Sequence, residues 1–189
     1  MTEIQEKANT IPQELNIAEI RKYTKEAAPL IHCITNPISI HDCANIILAA
    51  GARPIMAEHP AEVAEITAVA SALMLNLGNI TDARIESIQR ALKEANRRKI
   101  PVLLDLVGVT CSSLRREFAR KLLTDGRFAV IKGNISEILA AADLPFHGTG
   151  IDAGSQDAIS QANEARYCTT AKKLAEHLGC TVMATGKLD

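Results

Sequence analysis

Apolar positions along this chain fall into two alternating patterns. Six short runs carry the first: PLIHCIT (29–35), RPIMA (53–57), ALMLNLG (72–78), PVLLDLVG (101–108), FAVIKG (128–133) and TVMAT (181–185). Each is bounded by Gly, Pro or Asn and is too short for a helix, so each predicts a buried parallel strand. The second pattern lies between them. In 84–98, Ile85, Ile88, Leu92 and Ala95 recur at helical spacing, with Arg, Glu and Lys on the other face. Ile159, Ala162, Ala165, Leu174 and Leu178 predict a second helix over 155–178, and another is expected over 38–51. Strand and helix in alternation predict an α/β fold with a mainly parallel sheet, helices on both faces and right-handed connections. Residues 1–12 read as a mobile lead-in, and LPFHGTGIDAGSQD (144–157) as an irregular excursion.

Composition narrows the classes. A length of 189 residues favours one domain, and 47% apolar residues suit a packed core. Lys+Arg 21 against Asp+Glu 22 leaves a net charge of −1, so no basic field argues for nucleic acid or a membrane surface. With no Trp and 3% aromatics, the core must be built from Ala, Ile, Leu and Val. Cysteines at 33, 43, 111, 168 and 180 form no CxxC pair, which argues against a disulfide framework and for a reducing, cytoplasmic setting. No apolar run approaches a membrane span, and the polar opening stretch does not read as a secretory signal.

Ligands of such sheets gather at the C-terminal ends of the strands, which directs attention to the residues there. Asp105 ends one run; it reads either as a carboxylate for Mg²⁺ or as the cap of the next helix. In Ile131–Glu137, Asn134 and Glu137 have capping-box spacing. The same placement would let Glu137 order Mg²⁺ beside a phosphate that Lys132 neutralises. Asn36, restrained by Pro37, can face a ligand or cap 38–51. Met56 is a strand-end methionine or a flexible wall for an aromatic ligand. His32, His41 and Cys43 lack zinc-site spacing and are read as packing residues. Cys43 and Cys111 are read as structural, and the glycines at 148, 150 and 154 form no phosphate-binding P-loop.

Taken in order, CITNPISIHDCANIILAAGARPIMAEHPAEV, LMLNLGNI, VLLDLVGV, VIKGNISEI, GIDA and MATGKLD resemble the hydroxyethylthiazole kinase family of thiamine salvage, over about residues 14–189. The resemblance implies a ribokinase-like domain over 13–189. It implies ATP-dependent phosphorylation of the alcohol of 4-methyl-5-(2-hydroxyethyl)thiazole, with Mg²⁺, in a homotrimer whose thiazole site lies between subunits. By position it implies that Met56 and Asn36 contact the thiazole, Lys132 and Thr185 contact ATP, and Asp105 and Glu137 organise Mg²⁺.

Three departures stand out. Lys132 replaces an Arg of the family, which keeps the charge and loses the planar fork. Leu106 replaces a Pro, and Thr110-Cys111 replace a Gly-Ala pair, so the loop after Asp105 is expected to be less free in its backbone angles. The family's glycine-rich GTGC or GAGC segment, whose N–H groups form an anion hole, follows TGxxD, and this sequence ends at Asp189. The resemblance therefore implies an incomplete domain with little or no turnover, and no catalytic residue is assigned within it. The alternatives are a non-catalytic protein that binds ligand or oligomerises, and a kinase of a related small alcohol.

Overall fold

A computed structural model describes residues 16–148, 154, 157, 159–160 and 163–186. The elements in order are α1 (Ile17–Ala27), β1 (Leu30–Ile34), α2 (Ile40–Ala50), β2 (Arg53–Ile55), α3 (Val63–Val69), β3 (Ala72–Asn76) and α4 (Asp82–Arg98). They continue with β4 (Val102–Asp105), α5 (Ser113–Asp125), β5 (Val130–Asn134), α6 (Ile135–Ala141), α7 (Glu164–Leu178) and β6 (Thr181–Thr185). All six predicted strands are present and form one parallel sheet in the order β2-β1-β3-β4-β5-β6.

The order reverses at β1: the chain first steps out to β2, then back past β1 to β3 and onward. Right-handed crossovers then send α2 to one face and the later helices to the other. Packing agrees, since α1 meets α2, α3 meets α4, and α6 meets both α5 and α7. Helices thus lie on both faces, but unequally. The strands consequently depart from the expectation of burial on both sides. In β3, Leu73 and Leu75 are buried while Ala72 and Met74 are half-exposed; β4 and β5 alternate in the same way. Among the described residues the thinly covered face carries only α1 and α2.

The core is aliphatic, as the composition requires. Ile34, Leu73, Leu75, Leu104, Ile131 and Ile138 form its centre, with Phe118 and Phe128 at its border. α4 supplies Ile88, Leu92 and Ala95 as its predicted stripe. Thr81 caps that helix by accepting from Arg84 N, and Lys99 ends it in the left-handed region. α7 starts at Glu164, later than the predicted 155. Asn163 precedes its first turn and accepts from Ser160 N at 2.7 Å, so the backbone turns here before helix begins. The lead-in 1–12 lies outside the described residues, as do Gly150 and Asp152 of the excursion. No helix among the described residues is long and apolar enough to cross a membrane.

Candidate active site

Reversal of strand order opens a crevice at the C-terminal ends of β1 and β3. Asn36 lies just past β1 and Asn76 ends β3. Asn36 Nδ2 donates to Asn76 Oδ1 at 3.2 Å across that crevice. The Asn36 amide oxygen accepts from Ile38 N (3.0 Å) and Ser39 N (3.1 Å), which turns the chain into α2. Met56 follows β2 directly and is half-buried. Beneath it, His32 is fully buried and bonded at both ring nitrogens, to Thr67 Oγ1 and to Ala57 O, each at 2.8 Å. Burial lowers its pKa and keeps the ring neutral; the Ala57 bond and the Glu62 charge offset part of this.

Two and three inter-strand steps from β1, about 10 to 15 Å away, the ends of β4 and β5 bring three charged groups together. Asp105 and Lys132 are cross-strand partners, with Lys132 Nζ 3.2 Å from Asp105 Oδ2. Asp105 Oδ1 accepts from Val107 N at 3.1 Å, so the carboxylate both shapes its own turn and faces a cation. Glu137 sits under the pair, 2% exposed. Its Oε2 accepts from Asn134 N and its Oε1 from Gly108 N, both at 2.8 Å, while Asn134 caps Glu137 N in return. The capping box is therefore real, and it also ties the loop after β4 to the first turn of α6. Desolvation pushes the Glu137 carboxyl above its ordinary range against those two N–H bonds; Asp105 adds to the rise and Lys132 opposes it.

Two glycines make this approach possible. Gly108 has φ +78°, which lets its N–H turn toward Glu137. A Cβ on Gly133 would stand 3.0 Å from Glu137 Cβ and 3.1 Å from its Oε2. Leu106 and Thr110 are absent from the residues with positive φ, so the feared strain of these departures does not arise. Thr185 ends β6 opposite Asn134, its hydroxyl 3.5 Å from Gly133 O. Lys187 and Asp189 lie outside the described residues.

Other residues of this edge escaped the sequence reading. Arg115, in the first turn of α5, donates to Leu77 O and, at 3.0 Å, to Gly78 O, so it braces the loop after β3. Asp157, 2% exposed, accepts from Ser136 Oγ (2.6 Å) and His147 N (2.7 Å) and lies 2.8 Å from His147 Nδ1. Burial alone would raise its pKa, but those bonds hold it below the ordinary value. Neither residue sits in a recognisable spacing. Among the described residues no three His, Cys, Asp or Glu side chains cluster as a metal site. His41 and Cys43 are not drawn to His32, and all five cysteines are free.

The chain matches the hydroxyethylthiazole kinase family over residues 21–189. It is 51% identical over 171 residues to hydroxyethylthiazole kinase 2 of Clostridium botulinum, covering 90% of this chain and 64% of that protein. Against hydroxyethylthiazole kinase of Clostridium acetobutylicum it is 44% identical over 161 residues, covering 85% and 59%. The solved structure of the hydroxyethylthiazole kinase protein from Pyrococcus horikoshii OT3 superposes with a TM-score of 0.76 at 29% identity, over 90% of this chain and 60% of that one. The chain thus spans less than two thirds of the length of these relatives.

Proposed function

The chain belongs to the hydroxyethylthiazole kinase family, and from that premise we propose that the protein binds 4-methyl-5-(2-hydroxyethyl)thiazole and ATP for transfer of the γ-phosphoryl group to the thiazole alcohol. One observation carries the reading. The crevice at Asn36 and Asn76, beside Met56, lies on the same sheet edge as the Asp105–Lys132–Glu137 cluster. A heteroaromatic ring would sit at the first and its side-chain alcohol would point along the edge to the second.

In this arrangement Met56 supplies an apolar wall to the ring and Asn36 an amide beside it. Lys132 offsets charge on the phosphate oxygens, and the Thr185 hydroxyl contacts the nucleotide. Asp105 and Glu137 fit Mg²⁺ by donor chemistry: both are carboxylates, and each oxygen keeps a lone pair beyond the bond it already accepts. Two carboxylates, with no third beside them among the described residues, suit an ion that retains waters and leans on phosphate oxygens. Such an ion supplies charge neutralisation for phosphoryl transfer. The residues themselves contribute binding and orientation.

Calorimetry tests the reading. Saturable binding of hydroxyethylthiazole is expected, weakened about tenfold by Met56→Ala, because a wall that packs on one face of the ring is lost. Equal or tighter binding of a hydroxymethylpyrimidine would overturn it. ADP release in the same mixture separates a kinase from a protein that only binds.

The proposal includes a homotrimer with the thiazole site at its interface. α2 is largely apolar and has no buried residue, with Ile46 69% and Leu48 56% exposed, and Ile38 just before it is 94% exposed. A helix of that composition left bare suits a partner copy, and Asn36 opens the same segment. Ile46→Glu is expected to convert trimer to monomer in sedimentation and to weaken thiazole binding in parallel. A trimer that persists in this variant would remove the interface from α2.

A further inference from the structure

The segment from Met56 to His59 leaves β2 and reaches α3 without regular structure. Side chains from two other elements grip it just after Met56. His32 in β1 lies 2.8 Å from Ala57 O through Nε2. A carbonyl only accepts, so that nitrogen carries the proton, and the Thr67 hydroxyl donates to Nδ1. Ser87 in α4 donates to Glu58 O at 2.7 Å, sharing its hydroxyl with Ala83 O. Arg84, also in α4, sets Nε 3.3 Å from Glu58 Oε2 and donates through Nη1 to Asn79 O at 3.1 Å.

These are expensive residues for such places. His32, Thr67 and Ser87 are 0% exposed and Arg84 is 5% exposed. Arg84 Nε and the buried Arg84 Nη2 make no hydrogen bond, so Arg84 holds Glu58 by charge alone. Apolar side chains of similar volume would fill this layer at lower cost. His32, Ser87 and Arg84 share one target, the two residues after Met56: the first two hold the Ala57 and Glu58 carbonyls, and Arg84 pairs with the Glu58 carboxylate. A methionine side chain has three rotatable bonds, so the wall it forms is only as well placed as its backbone.

We propose that His32, Ser87 and Arg84 are positioning residues that fix the backbone at Met56, and that through it they set which heteroaromatic alcohol the site accepts. This rests on the reading that Met56 faces the thiazole. The clamp acts on the ring-binding end of the site and leaves the Asp105–Glu137 end alone.

Two readouts test it on the intact chain. With methyl-labelled methionine, Met56→Leu assigns the Met56 signal among the four methionines. His32→Leu and the milder Ser87→Ala are expected to shift and broaden that signal while leaving Met183, on β6, unchanged. Calorimetry is expected to show hydroxyethylthiazole binding weakened about tenfold, the scale of one lost buried hydrogen bond. Hydroxymethylpyrimidine binding should change by less than about twofold, so the preference narrows. His32→Gln, whose amide still donates to Ala57 O, should restore most of both. An unmoved Met56 signal, or equal losses for the two alcohols, would overturn the proposal. If the unmutated chain binds neither alcohol, the proposed substrate falls instead. The methyl signal then decides the clamp by itself: a shift supports it and no shift removes it.

Discussion

Asp157→Ala is expected to lower stability by roughly 3 kcal/mol, because a buried carboxylate that accepts charge-assisted bonds leaves its donors unpaired when removed. The donors are the Ser136 hydroxyl and the His147 N–H, with the His147 ring beside them. Ser136 also accepts from Gly154 N at 3.1 Å, so the loss spreads to a second contact. Denaturant unfolding measures this, and a change within about 0.5 kcal/mol would show that the Asp157 bonds contribute no net stability. The acid side adds a check on sign. The folded-state pKa of Asp157 is below the ordinary 3.8. Its contribution is therefore complete above that value and is lost as pH falls through the lower folded one. Asp157→Ala should thus lose its penalty only in strong acid. Since Ser136 precedes Glu137, the same variant should also blur the first turn of α6.

The other large effect concerns Glu137. Glu137→Gln is expected to weaken Mg²⁺-dependent ATP binding by about 10- to 100-fold, on the scale seen when groups that order a metal site are removed. Calorimetry with Mg²⁺ and with a chelator separates this from loss of nucleotide binding as such. Unchanged Mg²⁺ dependence would take Glu137 out of the site. Stability should respond to pH in the opposite sense to Asp157. The Glu137 pKa is raised in the folded state, so its contribution is present below the ordinary 4.5 and is lost as pH rises through the folded value. The stability of the natural chain relative to the Gln variant should accordingly fall as pH rises above 4.5. A constant difference across that range would show that burial does not govern this carboxyl.

The strands were legible because each is a short apolar run with a turn residue at its end; the structure trims them by three residues at most per end and extends β5 to Asn134. The sheet's unequal cover was not legible. Whether Met74 or Leu103 is buried depends on which face receives the helices, and that follows from strand order, which no local pattern encodes. Asp105 and Glu137 could be picked out because an acid at a strand end is conspicuous against its apolar run. Asn36 could be picked out through Pro37. Arg115 and Asp157 could not: Arg115 braces a loop distant in sequence, and Asp157 meets Ser136 of α6 and the nearer His147, contacts that no local spacing encodes. His32 was visible as a packing residue, but its hold on Ala57 depended on where β2 ends. Of the two readings of Glu137 offered by the sequence, the cap is seen in its bonds with Asn134, and the metal role stays a proposal beside it.

Gly133 carries a consequence for pairing along the sheet. It holds the one position of β5 where a side chain would meet Glu137 Cβ at 3.0 Å and Leu106 Cβ at 3.4 Å. A slip of β5 by a single residue would drive Lys132 or Asn134 into that space and turn Ile131 out of the core. Mispairing is thereby penalised where the carboxylates converge, so one small residue keeps the chain in register and the cluster in shape.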